Sequence, residues 1–290
     1  MGGEEQHFVK EAFDTNWIAP LGPNVTGFEN DIKNFLEDDV YVGALSSGTS
    51  AIHLGLQILG VEAGDEVLCQ SFTFSASANP ITYLGAKPVF IDSESKTWNM
   101  SSKLLEIAIK EIIEKHKKPK AIVAVHLYGM PYDVNAIQTV ADKYDIPVLE
   151  DSAEAMGSKY KGQKCGTFGA IGILSFNGNK IITTSGGGAL VSSKKEYVVK
   201  AIHLATQSRD PAAHYQHSEI GYNYRLSNVL AGIGRGQMQV LQERVSARRT
   251  NYDYYFKYLG HLDGISFLDE PDGYYSNRWL TCILTTSFLR

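Results

Sequence analysis

Leu174-Ser175-Phe176-Asn177-Gly178-Asn179-Lys180-Ile181-Ile182-Thr183-Thr184-Ser185-Gly186-Gly187-Gly188-Ala189-Leu190 is the stretch on which the reading of this chain turns. The apolar run from Ile171 to Phe176 predicts a buried strand, and it gives way to a polar turn containing Gly178. Short continuous apolar runs bounded by turn residues mark strands covered on both faces. Lys180 sits on that turn, and Thr183, Thr184, Ser185 and three glycines follow before the next apolar run. A lysine held between two buried segments sheds water, which disfavours its charged form and frees the amine as a nucleophile. Schiff-base chemistry with an aldehyde needs such an amine. An ordinary loop lysine in a glycine-rich hairpin fits the same residues.

Upstream, Pro147-Val148-Leu149-Glu150-Asp151-Ser152-Ala153-Glu154-Ala155-Met156-Gly157 reads as a short strand ending in carboxylates. Open α/β sheets place their ligands at the carboxyl ends of parallel strands. Asp151 there is placed to pair with a pyridinium nitrogen, although a solvated strand end has the same sequence. An aspartate at a strand end with a lysine roughly thirty residues on, both between buried segments, is the usual pattern for pyridoxal 5'-phosphate (PLP).

The flanking chain alternates. Strands are expected at Tyr41–Leu45, Glu66–Cys69, Pro88–Ile91, Ala121–Val125, Pro147–Glu150 and Ala189–Ser192. Helices are expected at Ala51–Leu59, Ser102–Ile113, Val134–Tyr144 and Lys194–Leu204. Such alternation implies βα units, a mostly parallel sheet and an α/β fold with helices on both faces. Between the first strand and helix lies Ser46-Ser47-Gly48-Thr49-Ser50. Strand, small-residue turn and helix start make an anion site from free N–H groups and the helix dipole, and plain N-capping makes the same pattern. No Gly-Lys-Ser/Thr ending is present, which argues against a nucleoside triphosphate loop.

At the N-terminus one helix is expected over Glu4–Phe13, an irregular segment over 16–27 and an amphipathic helix over Phe28–Leu36. Towards the other end a long helix is expected over Val229–Val245, a tyrosine-rich helical stretch over Ser246–Leu262, and strands over Gly264–Leu268 and Trp279–Leu284. A large domain over 1–245, with an N-terminal arm, is thus followed over 246–290 by the start of a small α+β domain that reads as incomplete. Glu111 to Lys120 is a charge-rich surface turn.

Apolar residues at 43% and charged ones at 20% describe an ordinary globular chain rather than a disordered one. A net charge of −5 leaves no basic footprint for nucleic acid. No apolar run approaches spanning length and no signal-peptide core opens the chain, so no membrane partner is expected and the cytoplasm is the default location. Cys69, Cys165 and Cys282 are far apart, and His203, His214 and His217 lie in a loosely spaced loop without close carboxylates. Neither set has the spacing of a disulfide framework or a metal site.

The chain resembles the DegT/DnrJ/EryC1/StrS sugar aminotransferases. The likeness runs through Gly2-Gly3-Glu4, Asn16-Trp17-Ile18-Ala19-Pro20-Leu21-Gly22, Ser46 to Ala51, Glu150 to Glu154 and Ser175 to Lys180. It continues through Gly221-Tyr222-Asn223-Tyr224-Arg225-Leu226-Ser227-Asn228 to Ser276-Asn277-Arg278-Trp279, in the family's order over almost the whole chain. Within the family it is most similar to enzymes that aminate UDP-4-keto-6-deoxy sugars for bacterial glycan and glycoprotein synthesis. Asn177-Gly178-Asn179-Lys180 and the run Asn223 to Asn228 carry that narrower likeness.

The resemblance implies the aspartate aminotransferase-like fold (PLP fold type I). It implies PLP bound to Lys180 as a Schiff base, with Asp151 on the ring nitrogen and Phe74 stacked on the ring. Gly48, Thr49, Ser50 and Ser175 would hold the phosphate, together with Asn223 reaching across from the partner of a homodimer with a shared active site. Glu154 would lie near the cofactor's phenolic oxygen or the substrate amine, while His214 and Arg225 would contact the nucleotide sugar or support the interface. An amino acid, glutamate in most relatives, would be the donor. His126, tempting as an acid–base group, matches a run the family keeps as scaffold. Two rivals remain. Family members that dehydrate sugars carry a histidine in place of the lysine, against which Lys180 speaks, and a truncated, non-catalytic PLP-binding protein fits the early stop at Arg290.

Overall fold

Asn228, deep in the second half of the chain, decides where an early helix begins. Helix α1 (Glu5–Asp14) falls where expected, but α2 (Pro23–Leu36) begins five residues before Phe28, inside the segment expected to be irregular. Pro23 occupies the first turn, where a missing N–H costs nothing. The orphan N–H groups of Asn24 and Val25 are taken by the Asn228 side-chain oxygen, at 2.9 and 3.2 Å. From there Val25, Phe28, Ile32 and Leu36 form the buried stripe. The computed structural model describes residues 1–115 and 117–286, so position 116 of the surface turn and 287–290 of the expected small domain lie outside the described residues.

The α/β core then follows: β1 (Tyr41–Leu45), α3 (Gly48–Ile58), β2 (Glu66–Gln70), α4 (Asn79–Tyr83), β3 (Lys87–Ile91), α5 (Ser102–Glu114), β4 (Ala121–Val125), α6 (Val134–Tyr144) and β5 (Val148–Asp151). A small hairpin, β6 (Lys159–Tyr160) and β7 (Gln163–Lys164), precedes β8 (Ile171–Ser175), β9 (Gly188–Ser192) and α7 (Lys195–Ala205). The seven-stranded sheet has the order β1-β9-β8-β5-β4-β2-β3. β3, β2, β4, β5 and β8 run parallel, and β9 runs antiparallel to both its neighbours. The sheet is therefore mostly parallel, with β1, β2, β4, β5 and β8 all ending at one edge. The Lys180 turn joins β8 to β9 along that edge.

Alternate residues of the central strands serve opposite faces, as the pleat requires. Val123 of β4 packs with α3 and α7 through Leu54, Leu56 and Leu204, while Ile122 and Ala124 pack with α5 and α6 through Leu105, Ile109 and Ile137. Both faces are covered, which is why these strands read as continuous apolar runs.

The expected single helix over Val229–Val245 is two: α8 (Asn228–Gln239) and α9 (Leu241–Leu259), broken at Val240. β10 (Ile265–Phe267) follows; β11 (Tyr274–Tyr275) pairs back onto β6; β12 (Ile283–Thr285) pairs with β10. The strand expected from Trp279 thus begins only at Ile283, because residues 276–279 are drawn into the body of the protein. Among the described residues no helix is long and apolar enough to cross a membrane.

Candidate active site

The strand ends converge on a cleft of about 270 Å³. β5 delivers Asp151, 4% exposed, whose Oδ2 accepts the Ser77 hydroxyl at 2.6 Å and whose Oδ1 accepts the Ala153 N–H at 3.1 Å. Ser77 ends a short 3-10 turn that starts just after Phe74, whose ring stands exposed on the cleft wall. β8 delivers Ser175, and the turn beyond it brings Asn177, Asn179 and Lys180 to the same cleft.

The end of β1 contributes the start of α3. Ser47 caps the helix: its Oγ accepts the Ser50 N–H and its N–H donates to Ser50 Oγ, both at 3.0 Å. This capping box starts α3 at Gly48, three residues before Ala51. It also spends both the amide and the hydroxyl of Ser50 inside the cap, so Ser50 does not line the cleft as expected. Gly48 and Thr49 do line it, in the first turn where no intrahelical carbonyl reaches their N–H groups. A Cβ on Gly48 would stand 3.0 Å from Ser175 Cβ, so glycine lets the helix start sit directly on the end of β8.

Lys180 is 11% exposed; its Nζ lies 3.4 Å from Glu154 Oε1 and 4.3 Å from the centroid of the Trp279 ring. The other carboxylate oxygen of Glu154 accepts the Tyr128 N–H at 2.7 Å. Burial pushes the Glu154 carboxyl up, outweighing the opposing pull of Lys180 and of that N–H. Glu154 therefore takes up a proton more readily than a surface carboxylate.

Behind Asp151, Glu150 is fully buried. Its Oε1 accepts the Gly166 N–H (2.5 Å), the Ser152 hydroxyl (3.1 Å) and His126 Nε2 (2.7 Å), and its Oε2 accepts the Phe168 (2.7 Å) and Gly169 (3.0 Å) N–H groups. Burial alone would raise this carboxyl; the bonds from His126, Gly166 and Gly169 hold it below the usual range. His126 Nδ1 accepts the Tyr132 N–H at 3.2 Å, so the ring proton sits on Nε2. His126 is thus scaffold beneath the site. With Cys165 these two form the His/Cys/carboxylate grouping found among the described residues, but Glu150 already has five donors. Cys69 lies in the core of β2, its thiol pushed up to about 12 by burial and by the Asp151 charge.

Lys180, Gly48, Thr49, Phe74, Asp151, Glu154 and Ser175 thus meet in one cleft. Besides Ser50, three expected residues do not. Arg225, expected at a ligand or interface, turns inward, its Nη1 donating to Glu29 Oε1 (2.6 Å) and the Ala44 carbonyl (2.7 Å). Asn223 is exposed, bridged to Thr206 outside the cleft, and His214 is exposed in the loop after α7. The cleft also takes in Ser77 and Trp279, which were not singled out in the sequence. Ser77 carries no signal beyond a small-residue run, and Trp279 arrives from a segment expected to be a strand.

The chain is similar to known proteins of one family. A sequence profile of the DegT/DnrJ/EryC1/StrS aminotransferase family matches residues 1–288. EpsN of Bacillus subtilis (strain 168), whose name assigns it to the pyridoxal phosphate-dependent aminotransferases, is 55% identical over 283 residues, covering 98% of this chain and 73% of that protein. GDP-perosamine synthase of Escherichia coli O157:H7 is 40% identical over 285 residues, covering 98% and 75%. The crystal structure of a DegT DnrJ EryC1 StrS aminotransferase from Brucella abortus superposes with a TM-score of 0.90 at 28% identity, over 97% of this chain and 74% of that one.

Proposed function

The chain belongs to the DegT/DnrJ/EryC1/StrS aminotransferase family, and on that premise we propose that its cleft transfers an amino group to a nucleotide-linked 4-keto-6-deoxy sugar. The enzyme is a PLP-dependent sugar aminotransferase. The donor set of the cleft fits that cofactor: an amine at Lys180, a buried carboxylate at Asp151, an aromatic face at Phe74, and two helix-start N–H groups. The observation that carries the assignment of roles is that Lys180 and Asp151, 29 positions apart in sequence, face one cleft at whose wall α3 begins.

Bound PLP supplies an aldehyde and a ring that takes up electrons. Gly48 and Thr49, with the Ser175 hydroxyl beside them, would hold its phosphate. Asp151, fixed by Ser77 and the Ala153 N–H, keeps a proton on the ring nitrogen. Phe74, exposed on the cleft wall, would face the ring and orient it. The Lys180 amine would hold the cofactor's aldehyde end and, when free, would move a proton within the cleft. Glu154, beside that amine and raised by burial, is the proton's neighbouring resting place. Asn223, exposed and outside its own cleft, is free to reach a second copy in a homodimer with a shared site.

L-Glutamate is the proposed donor and a UDP-linked sugar the proposed acceptor, the latter resting on the runs Asn177 to Lys180 and Asn223 to Asn228. The likeness to a GDP-perosamine synthase makes a GDP-linked sugar the competitor. The test is an absorption spectrum of the protein with PLP before and after L-glutamate, followed by UDP- and GDP-linked 4-keto-6-deoxy sugars. A yellow band that bleaches with glutamate and returns with one of the sugars is expected. No band, or one that answers neither glutamate nor any sugar, would refute the proposal.

A further inference from the structure

Residues 276–279 do something none of the roles above requires: they tie together the two turns that carry Glu154 and Lys180. The Asn277 side-chain amide donates to the carbonyls of Glu154 and Met156, both at 2.9 Å, and its backbone N–H donates to Ser158 Oγ at 2.9 Å. Asn277 Oδ1 accepts the Trp279 N–H at 2.9 Å, and the Trp279 indole N–H donates to the Asn179 carbonyl at 2.7 Å. Trp279 is 6% exposed and lies against Tyr128, with ring centroids 6.4 Å apart at 30°. A ring so fixed has one orientation to offer. Its face lies 4.3 Å from the Lys180 nitrogen, and the Glu154 carboxylate stands 3.4 Å from the same atom.

We propose that Trp279 is a positioning residue for Lys180, its indole face holding the side-chain nitrogen beside Glu154 until an aldehyde claims it. An ammonium is attracted to the face of an indole, an effect worth about 2-fold in occupancy at an exposed site and about 30-fold at a desolvated one. The held amine is oriented and partly shielded from other electrophiles. Removing the ring face releases it.

The test uses the cofactor-free protein, treated with acetic anhydride, with acylation of each lysine followed by peptide mass spectrometry. Lys87, 73% exposed at its side chain, is the internal reference. Trp279→Gln retains a donor for the Asn179 carbonyl and removes the ring; Trp279→Phe retains a ring and removes the donor. Acylation of Lys180 relative to Lys87 is expected to rise about 2- to 30-fold in Trp279→Gln and to stay within about two-fold of the parent in Trp279→Phe. A folded Trp279→Gln that reacts at the parental rate overturns the proposal. So does a Trp279→Phe that reacts as fast as Trp279→Gln, since the Asn179 bond alone would then explain both.

A second measurement leaves Trp279 in place. The chain has three tryptophans, so replacing Trp17 and Trp98 by Phe makes Trp279 the sole indole emitter. Lys180→Met in that background is expected to shift its emission, and an unchanged spectrum overturns the proposal. The inference rests on Lys180 being the cofactor lysine, which the loss of the yellow PLP band in Lys180→Ala tests separately. A band that persists in that variant refutes that reading, whereas a band lost there with unmoved acylation and emission refutes only the role of Trp279.

Discussion

Glu150→Gln is a one-atom change that should cost more stability than many larger ones. The carboxylate has three donors on Oε1 and two on Oε2, and three of the five are backbone N–H groups fixed by the loop over 166–169. A glutamine amide oxygen can replace only one carboxylate oxygen. If it faces Gly166, Ser152 and His126, its NH₂ confronts the Phe168 and Gly169 N–H groups. In the other orientation the NH₂ confronts the Gly166 N–H and the His126 Nε2 proton. His126 has no easy escape, because its Nδ1 is occupied by the Tyr132 N–H. Either way two buried donors lose their acceptor, at about 1–3 kcal/mol each, so the loss is about 2–6 kcal/mol.

The pH dependence of that loss is fixed by the lowered folded-state pKa of Glu150. A carboxyl held below its unfolded value contributes stability that is fully present above about pH 4.3 and is lost as the pH falls through the folded value. Urea unfolding of parent and variant between pH 7 and pH 3 is the assay. The difference should be largest at neutral pH and shrink on acidification below the ordinary carboxylate range. A variant within about 0.5 kcal/mol of the parent at pH 7, or a gap that widens on acidification, would refute the reasoning.

Glu154→Gln should behave with the opposite sign. A carboxyl raised by burial stabilises the fold below its unfolded pKa and loses that contribution as the pH rises through the folded one, so the variant should gain on the parent from about pH 4 upwards, as read by melting temperature. A difference flat with pH would remove the burial argument. Lys180→Ala should bind no PLP as a yellow species while keeping its far-UV circular dichroism, and a band in that variant would show that another amine serves. Gly48→Ala drives a Cβ to 3.0 Å from Ser175 Cβ. The overpacking, about 1–3 kcal/mol of fold stability, pushes the start of α3 away from the end of β8 and should weaken PLP binding in a spectral titration. Unchanged affinity would place the phosphate elsewhere.

What the sequence disclosed follows from how local each cause is. The strands β4 and β5 are covered on both faces, so their apolar runs were readable without knowing what covers them. The edge position of Asp151 and the turn carrying Lys180 followed from those runs. The start of α2 was not readable, because its cap is Asn228, 204 positions away from Asn24. Arg225 looks in sequence like a ligand-seeking guanidinium, and only folding shows that Glu29 lies against it. The same holds for Ser50, whose hydroxyl and amide close a capping box rather than an anion site. Trp279 was quoted only as part of a motif, since a contact spanning 100 positions leaves no local trace.

That span of 100 positions has a consequence in time. A ribosome adding about 5–20 residues per second needs roughly 5–20 s to pass from Asn179 to Trp279. During that interval the sheet edge, the Asp151 strand and the start of α3 are already synthesised, but the indole beside Lys180 is not. A nascent chain released early would carry the reactive amine without its aromatic neighbour. Translation thus adds the ring to the cleft only after every cofactor-facing residue except Asn223 has been made for roughly 5 s or more, with Asn223 itself 56 positions ahead of Trp279.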